Sequence, residues 1–219
     1  MKFGRWKFGN KNAQSVAFDL TYIRHLMDRR EEGNGFRVVC IGGSAGGLQA
    51  YVEILRGLPA DTGMAFVIAP HRGPQHSELL PSILRKATKM PVSEVEQGMR
   101  LEPDKVFVMP PRIEMTTAGN IFLLRRTPAP AGWPKTISTF LFSLAEAKGN
   151  RAVVVIVSGL DHDGVTALAA IKAAGGVTFA QSDAEYGSMP QHAIESGHID
   201  HFLPSAEIAK ELLRLANQA

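Results

Sequence analysis

A chain of 219 residues with 45% hydrophobic content is long enough to bury one sizeable core and too short for two large ones. Twenty-four Lys and Arg against 21 Asp and Glu leave a formal charge of +3 without any block of like charges, which argues against a nucleic-acid partner, and no apolar run reaches the ~18 residues of a membrane span. The single cysteine, Cys40, excludes an internal disulfide framework, suits a reducing compartment and, lying in VVCIGG, reads as a small buried hydrophobe.

In chain order, the opening MKFGRWKFGNKNAQ lacks the apolar core of a secretory signal and reads as a basic, aromatic arm, so a cytoplasmic location without membrane insertion is expected. From Ser15 to Glu32, apolar positions at Val16, Phe18, Leu20, Ile23, Leu26 and Met27 follow the helical period imperfectly, and EEGNG ends the segment. Residues 1–35 are therefore expected to form an arm and a helix that docks away from the Ser44 crevice, with residues 36–219 as the main domain.

After Gly35 short β-rich runs alternate with helical patterns: FRVVCI before GGLQAYVEILRGL, AFVIAP before HSELLPSILRKA, and AVVVIVSGL before GVTALAAIKAAGG. Near-continuous apolar strands of this kind predict a mainly parallel sheet buried on both faces, hence a doubly wound, three-layer α/β/α domain. Between them KVFVMPP, RIEMTTAGN and IFLLRR read as short strands, the last two joined at AGN as an antiparallel β-hairpin at the edge of the sheet. TPAPAGWPKT reads as a loop into a helix from Ile137 to Ala147, VTFAQ as a further strand, and AEIAKELLRLANQ as the closing helix.

The first strand runs into Gly42-Gly43-Ser44-Ala45-Gly46, a G-x-S-x-G turn between strand and helix. Such a turn presents a serine where bulkier neighbours would collide, but amides at a helix N-terminus suit a phosphate as well as an oxyanion. The dinucleotide pattern G-x-G-x-x-G fails here, as does the Walker pattern for want of a lysine; nucleophile, phosphate loop and plain structural glycine all stay open on the turn alone.

His71 follows AFVIAP, and Asp161-His162-Asp163-Gly164 follows AVVVIVSGL, so both stand at the carboxyl ends of predicted strands, as Ser44 does. Ligands of open α/β sheets bind in the crevice beyond those ends. Serine is a weak nucleophile until a base takes its proton, and a carboxylate holds that base in the right tautomer, so Ser, His and Asp at three strand ends form a candidate triad. Helix capping is the bland alternative for either aspartate. Asp161, His162, Asp163 and His71 are conceivable metal ligands, yet no metal-site spacing occurs, and neither a metal nor a cofactor is expected.

These residues resemble the CheB chemotaxis protein-glutamate methylesterases, through IGGSAGG around Ser44, IAPH ending at His71, VFVMPP, VSGLDHDG around Asp163, and GSMPQHAIESG from Gly187 to Gly197. The resemblance implies Ser44, His71 and Asp163 as the triad, with Asp161 a neighbour or cap. It further implies an oxyanion and substrate region around the Leu160 amide with Gly43, Ala45 and Met189. The implied reaction is demethylation of glutamate γ-methyl esters on a methylated chemoreceptor or receptor-like protein, with glutamine deamidation by the same acyl-enzyme route. The family's usual motif has a hydroxyl residue where this chain has Ala45, a version more like domains fused to receptor methyltransferases, which makes such a methyltransferase a second expected partner. The family's usual enzyme also carries a receiver domain ahead of the hydrolase, so phosphorylation control within this chain is not expected. A non-catalytic receptor- or regulator-binding module and a phosphate or nucleotide binder are the alternatives.

Overall fold

Parallel pairing governs the large sheet, because its central strands (Val38–Gly43, Ala65–Pro70, Ala152–Ile156 and Val177–Gln181) each lead into a helix rather than into a hairpin. The computed structural model describes residues 35–71, 79–126 and 135–218; the expected arm and helix lie outside the described residues, apart from Gly35 itself. Strand β1 (Val38–Gly43) leads to helix α1 (Gly47–Arg56), and β2 (Ala65–Pro70) precedes the short helix α2 (Leu80–Leu84). Then come β3 (Val92–Glu94), β4 (Val106–Val108), and the hairpin of β5 (Ile113–Ala118) and β6 (Ile121–Arg126). Helix α3 (Thr136–Lys148) leads to β7 (Ala152–Ile156), α4 (Val165–Ala173) and β8 (Val177–Gln181), and α5 (Ser188–Glu195), β9 (His201–Leu203) and α6 (Ser205–Ala216) follow.

The seven-stranded sheet runs β3-β4-β2-β1-β7-β8-β9, and all its pairs are parallel. Chain order reverses on either side of β1, which is the arrangement that opens a crevice beyond the strand ends. The strands are apolar without alternation because both faces are covered. Val38, Cys40, Val154 and Ile156 face α3 and α4 through Phe140, Leu144, Leu168 and Ile171. Val39, Ile41, Val153 and Val155 face α1 and α6 through Ile54, Leu55, Ile208 and Leu212. Truncating one such aromatic anchor, Phe140→Ala, should cost about 3–5 kcal/mol.

The antiparallel hairpin is present as a two-stranded sheet of its own. Its anchor is Phe122, whose ring centroid lies 5.1 Å from that of Phe107 on β4 and 6.3 Å from that of Phe140 on α3. Packing on the first sheet-covering layer thus satisfies the hairpin without ladder bonds to the large sheet.

Candidate active site

Ser44, His71 and Asp163 stand just beyond β1, β2 and β7, three adjacent strands at the centre of the sheet. The turn at Ser44 is shaped by close approach. A Cβ at Gly43 would lie 2.5 Å from Val157 Cγ2, and Gly46, at φ 73°, would bring one to 2.5 Å from Ser158 Oγ. Both positions therefore require glycine, the second also because the left-handed region is strained for side-chain-bearing residues. The Ser44 N–H donates to the Ser158 carbonyl at 2.8 Å, and the Ser44 hydroxyl donates to the main-chain carbonyl of His71 at 2.9 Å. The His71 amide in turn donates to the Gly43 carbonyl at 2.6 Å, so the ends of β1 and β2 are fastened together beside the serine.

The His71 side chain is 3% exposed, and its Nε2 lies 3.7 Å from Asp163 Oδ2. Asp163 is nearly as buried, and a carboxylate in such a place needs donors. Four are supplied. The Ile137 N–H donates to Oδ2 at 2.9 Å; the Ser138 N–H at 2.9 Å, the Ser138 hydroxyl at 2.7 Å and the Gly164 N–H at 2.8 Å donate to Oδ1. Ile137 and Ser138 belong to the first turn of α3, whose own N-cap, Lys135, makes no side-chain capping bond. Asp163 thus caps a helix 26 residues upstream of itself, where the free N–H groups and the helix dipole favour an anion. The helix that directly follows, α4, has no side-chain capping bond at its N-cap, Gly164, so Asp163 caps α3 and not the helix for which sequence offered it as a cap. Its negative charge adds to burial in pushing the thiol of Cys40 well above its ordinary range.

Asp161 Oδ2 also lies 3.7 Å from His71 Nε2, with the Asp161 side chain 27% exposed. Its Oδ1 accepts the N–H groups of His162 and Asp163. Burial raises its pKa, but the amide of His162, the charges of His71 and His162 and the amide of Asp163 outweigh it and hold the carboxyl below the usual value.

The loop after β7 lies beside the Ser44 turn, to which the Ser158 carbonyl joins it. Leu160 is among the exposed large hydrophobics, and among the described residues its N–H has no hydrogen-bond partner, nor does that of Ala45. Met189, by contrast, is fully buried and packs beneath the loop: a Cβ at Gly159 would lie 3.0 Å from its Sδ, and its N–H donates to the Gly159 carbonyl at 2.9 Å. Its side chain supports this loop from below and does not reach the crevice surface. Gly43 is likewise buried, under the turn.

Ser138, Ser158 and Gln181 escaped the sequence reading. Ser158 donates its hydroxyl to the Ala45 carbonyl at 2.7 Å and accepts the Tyr186 N–H at 2.9 Å, while its own N–H donates to Gln181 Oε1 at 2.9 Å. The serine in VSGL, directly after an apolar strand, was the available signal. Among the described residues no group of three His, Cys, Asp or Glu is disposed to hold a metal ion.

The family model described as CheB methylesterase matches residues 39–212. The chain belongs to the CheB methylesterase family. Among solved structures, the CheB methylesterase catalytic domain of Thermotoga maritima superposes with a TM-score of 0.78 at 25% identity, over 83% of this chain and 100% of that one. A protein-glutamate methylesterase/protein-glutamine glutaminase of Pseudomonas aeruginosa is 32% identical over 187 residues, which are 82% of this chain and 53% of that protein. An uncharacterized 104.1 kDa protein of Rhodobacter capsulatus is 41% identical over 127 residues, 57% of this chain and 13% of its own length. This CheB-family chain spans about half the length of the curated methylesterases it matches. Among its described residues no helix is long and apolar enough to cross a membrane.

Proposed function

We propose that this chain is a serine hydrolase that removes methyl groups from glutamate γ-methyl esters on a methylated chemoreceptor in the cytoplasm. The observation that carries the reading is the meeting of Ser44, His71 and Asp163 at three adjacent strand ends, with His71 Nε2 3.7 Å from the helix-anchored Asp163 carboxylate. Nε2 is the nitrogen turned to the carboxylates, and the reading takes the His71 ring as the base for the proton of Ser44. The Ser44 hydroxyl donates to the His71 carbonyl and has to turn from it to engage the ring; catalytic hydrogen bonds commonly tighten only with substrate bound.

Ser44 Oγ attacks the ester carbonyl while His71 takes its proton, and Asp163 orients the ring and offsets its charge. The N–H groups of Leu160 and Ala45 receive the oxyanion. His71 returns the proton to the departing methoxide, methanol leaves, and water attacks the acyl-enzyme with His71 again as base. Glutamine side chains pass through the same acyl-enzyme with ammonia as leaving group, in keeping with the glutaminase half of the relatives' names. A receptor methyltransferase is the natural counterpart, since it makes the ester consumed here. The catalytic unit is residues 36–219.

The test is methanol release from a receptor carrying labelled methyl esters. Wild-type protein releases methanol, and Ser44→Ala abolishes release while the circular dichroism spectrum and Tm stay unchanged. Near-wild-type release by Ser44→Ala would exclude the mechanism.

A further inference from the structure

The His71 imidazole has two carboxylates before it, and the triad uses one. Its Nε2 is 3.7 Å from Asp161 Oδ2 and 3.7 Å from Asp163 Oδ2. The two carboxylates are held differently. Asp163 is buried, and its oxygens accept four donors from Ile137, Ser138 and Gly164, which spread its charge over the end of α3. Asp161 uses only Oδ1 on its neighbours, the N–H groups of His162 and Asp163, and that turn aims Oδ2 at the ring.

We propose that Asp161 is a second positioning residue for His71, sharing with Asp163 the orientation of the ring and the stabilisation of its cation while the proton of Ser44 is in transit. The proposal rests on the hydrolase reading of the site. An imidazolium between two carboxylates is favoured over one beside a single carboxylate already engaged by four donors. The Asp161 carboxyl, kept below its usual value despite partial burial, is charged when the ring becomes protonated. Among the described residues, His162, whose Nδ1 is 3.5 Å from Asp161 Oδ1 and whose side chain is 64% exposed, is the other titratable group within ion-pair distance of this carboxylate, on the oxygen away from His71. The arrangement thus divides the labour: Asp163 fixes position from the interior, and Asp161 supplies charge from the crevice side.

The experiment is the rate of covalent labelling of Ser44 by a neutral fluorophosphonate, followed across the pH range in which histidine titrates, for wild type, D161N, D161A and D163N. Asn keeps the Oδ1 acceptor of the turn and removes only the charge. D161N should lower the plateau rate about tenfold and move the acidic limb of the profile to lower pH, D161A should match it, and D163N should fall further. A D161N profile that coincides with wild type overturns the proposal, as does loss of rate in D161A alone, which would reduce Asp161 to a turn former. A wild-type protein that is not labelled at Ser44 removes the hydrolase reading itself, and this proposal with it.

Discussion

Ser158 grips the turn that carries Ser44 at two points: its main-chain carbonyl accepts the Ser44 N–H at 2.8 Å, and its hydroxyl donates to the carbonyl of Ala45 at 2.7 Å. The same hydroxyl oxygen accepts the Tyr186 N–H, so one side chain joins the ends of β1 and β7 to the loop before α5. Ser158→Ala removes two partly buried hydrogen bonds, to the Ala45 carbonyl and from the Tyr186 N–H, at about 0.5–1.5 kcal/mol each. The urea midpoint should fall accordingly, and Ser44 labelling should slow because the turn keeps only the main-chain half of its hold on the end of β7.

Asp163→Asn should lower turnover by roughly 10³- to 10⁴-fold, the loss typical when a triad carboxylate becomes an amide. The new NH₂ also faces an N–H donor from α3 or Gly164, so stability should drop by about 1–3 kcal/mol. Ser138→Ala removes one donor and leaves the charge in place, so it should cost about 1 kcal/mol and far less activity. Parallel measurement of kcat and urea midpoints separates the two; equal losses of activity would show that the Ser138 hydroxyl, rather than the carboxylate charge, governs the histidine.

These contacts mark the boundary of what sequence could reveal. The positions of Ser44 and His71 at strand ends were legible because each directly follows a strand, and that of Asp163 because it lies in the loop after another; a strand end is a local signal. β3 and β9 were not, since VSE and HFL mix polar with apolar residues over three positions, whereas the three residues of β4, VFV, are all apolar. α5 hid because Pro190 and the polar SMPQHAIE blur its period, although Pro is tolerated in a first turn. The grip of α3 on Asp163 joins residues 26 apart in sequence, and no periodicity encodes a pairing made by the sheet's topology.

Gly159→Ala is expected to disturb the Leu160 loop from within. The added Cβ would meet Met189 Sδ at 3.0 Å and its Cβ and Cε at 3.1 Å, tight enough that this buried residue must shift. Overpacking of this kind costs about 1–3 kcal/mol. A double-mutant cycle with Met189→Ala should be non-additive, with the pair less destabilised than the sum of the single variants. Strict additivity in thermal unfolding would rule out the contact as the cause.

Asp200 provides a pH-dependent element remote from the crevice. Burial raises its pKa, but Lys172, bonded at 2.5 Å, and the N–H and hydroxyl of Thr178 outweigh that and lower it. Because the folded value lies below the unfolded one, the stabilisation is present above about pH 4 and fades as pH falls through the folded value. Asp200→Asn should therefore be less stable than wild type near neutrality, by about 1 kcal/mol, with the gap in urea midpoint closing in acid. A gap that persists unchanged in strong acid would assign the effect to shape rather than charge.

The carboxylate proposed to steady His71 also caps the start of α3, and this links two properties that protein engineers usually wish to vary separately. Any side chain that relaxes the demand on Asp163 as a base-holder loosens the start of a helix whose Phe140, Leu141 and Leu144 cover one face of the sheet. An inactive trap for capturing bound receptors should therefore be made at Ser44, whose hydroxyl spends its only donor bond on a neighbouring carbonyl. Under the proposed mechanism selection faces the same constraint: drift at the aspartate would be punished twice, whereas drift at the serine would silence the chemistry and leave a sound scaffold behind.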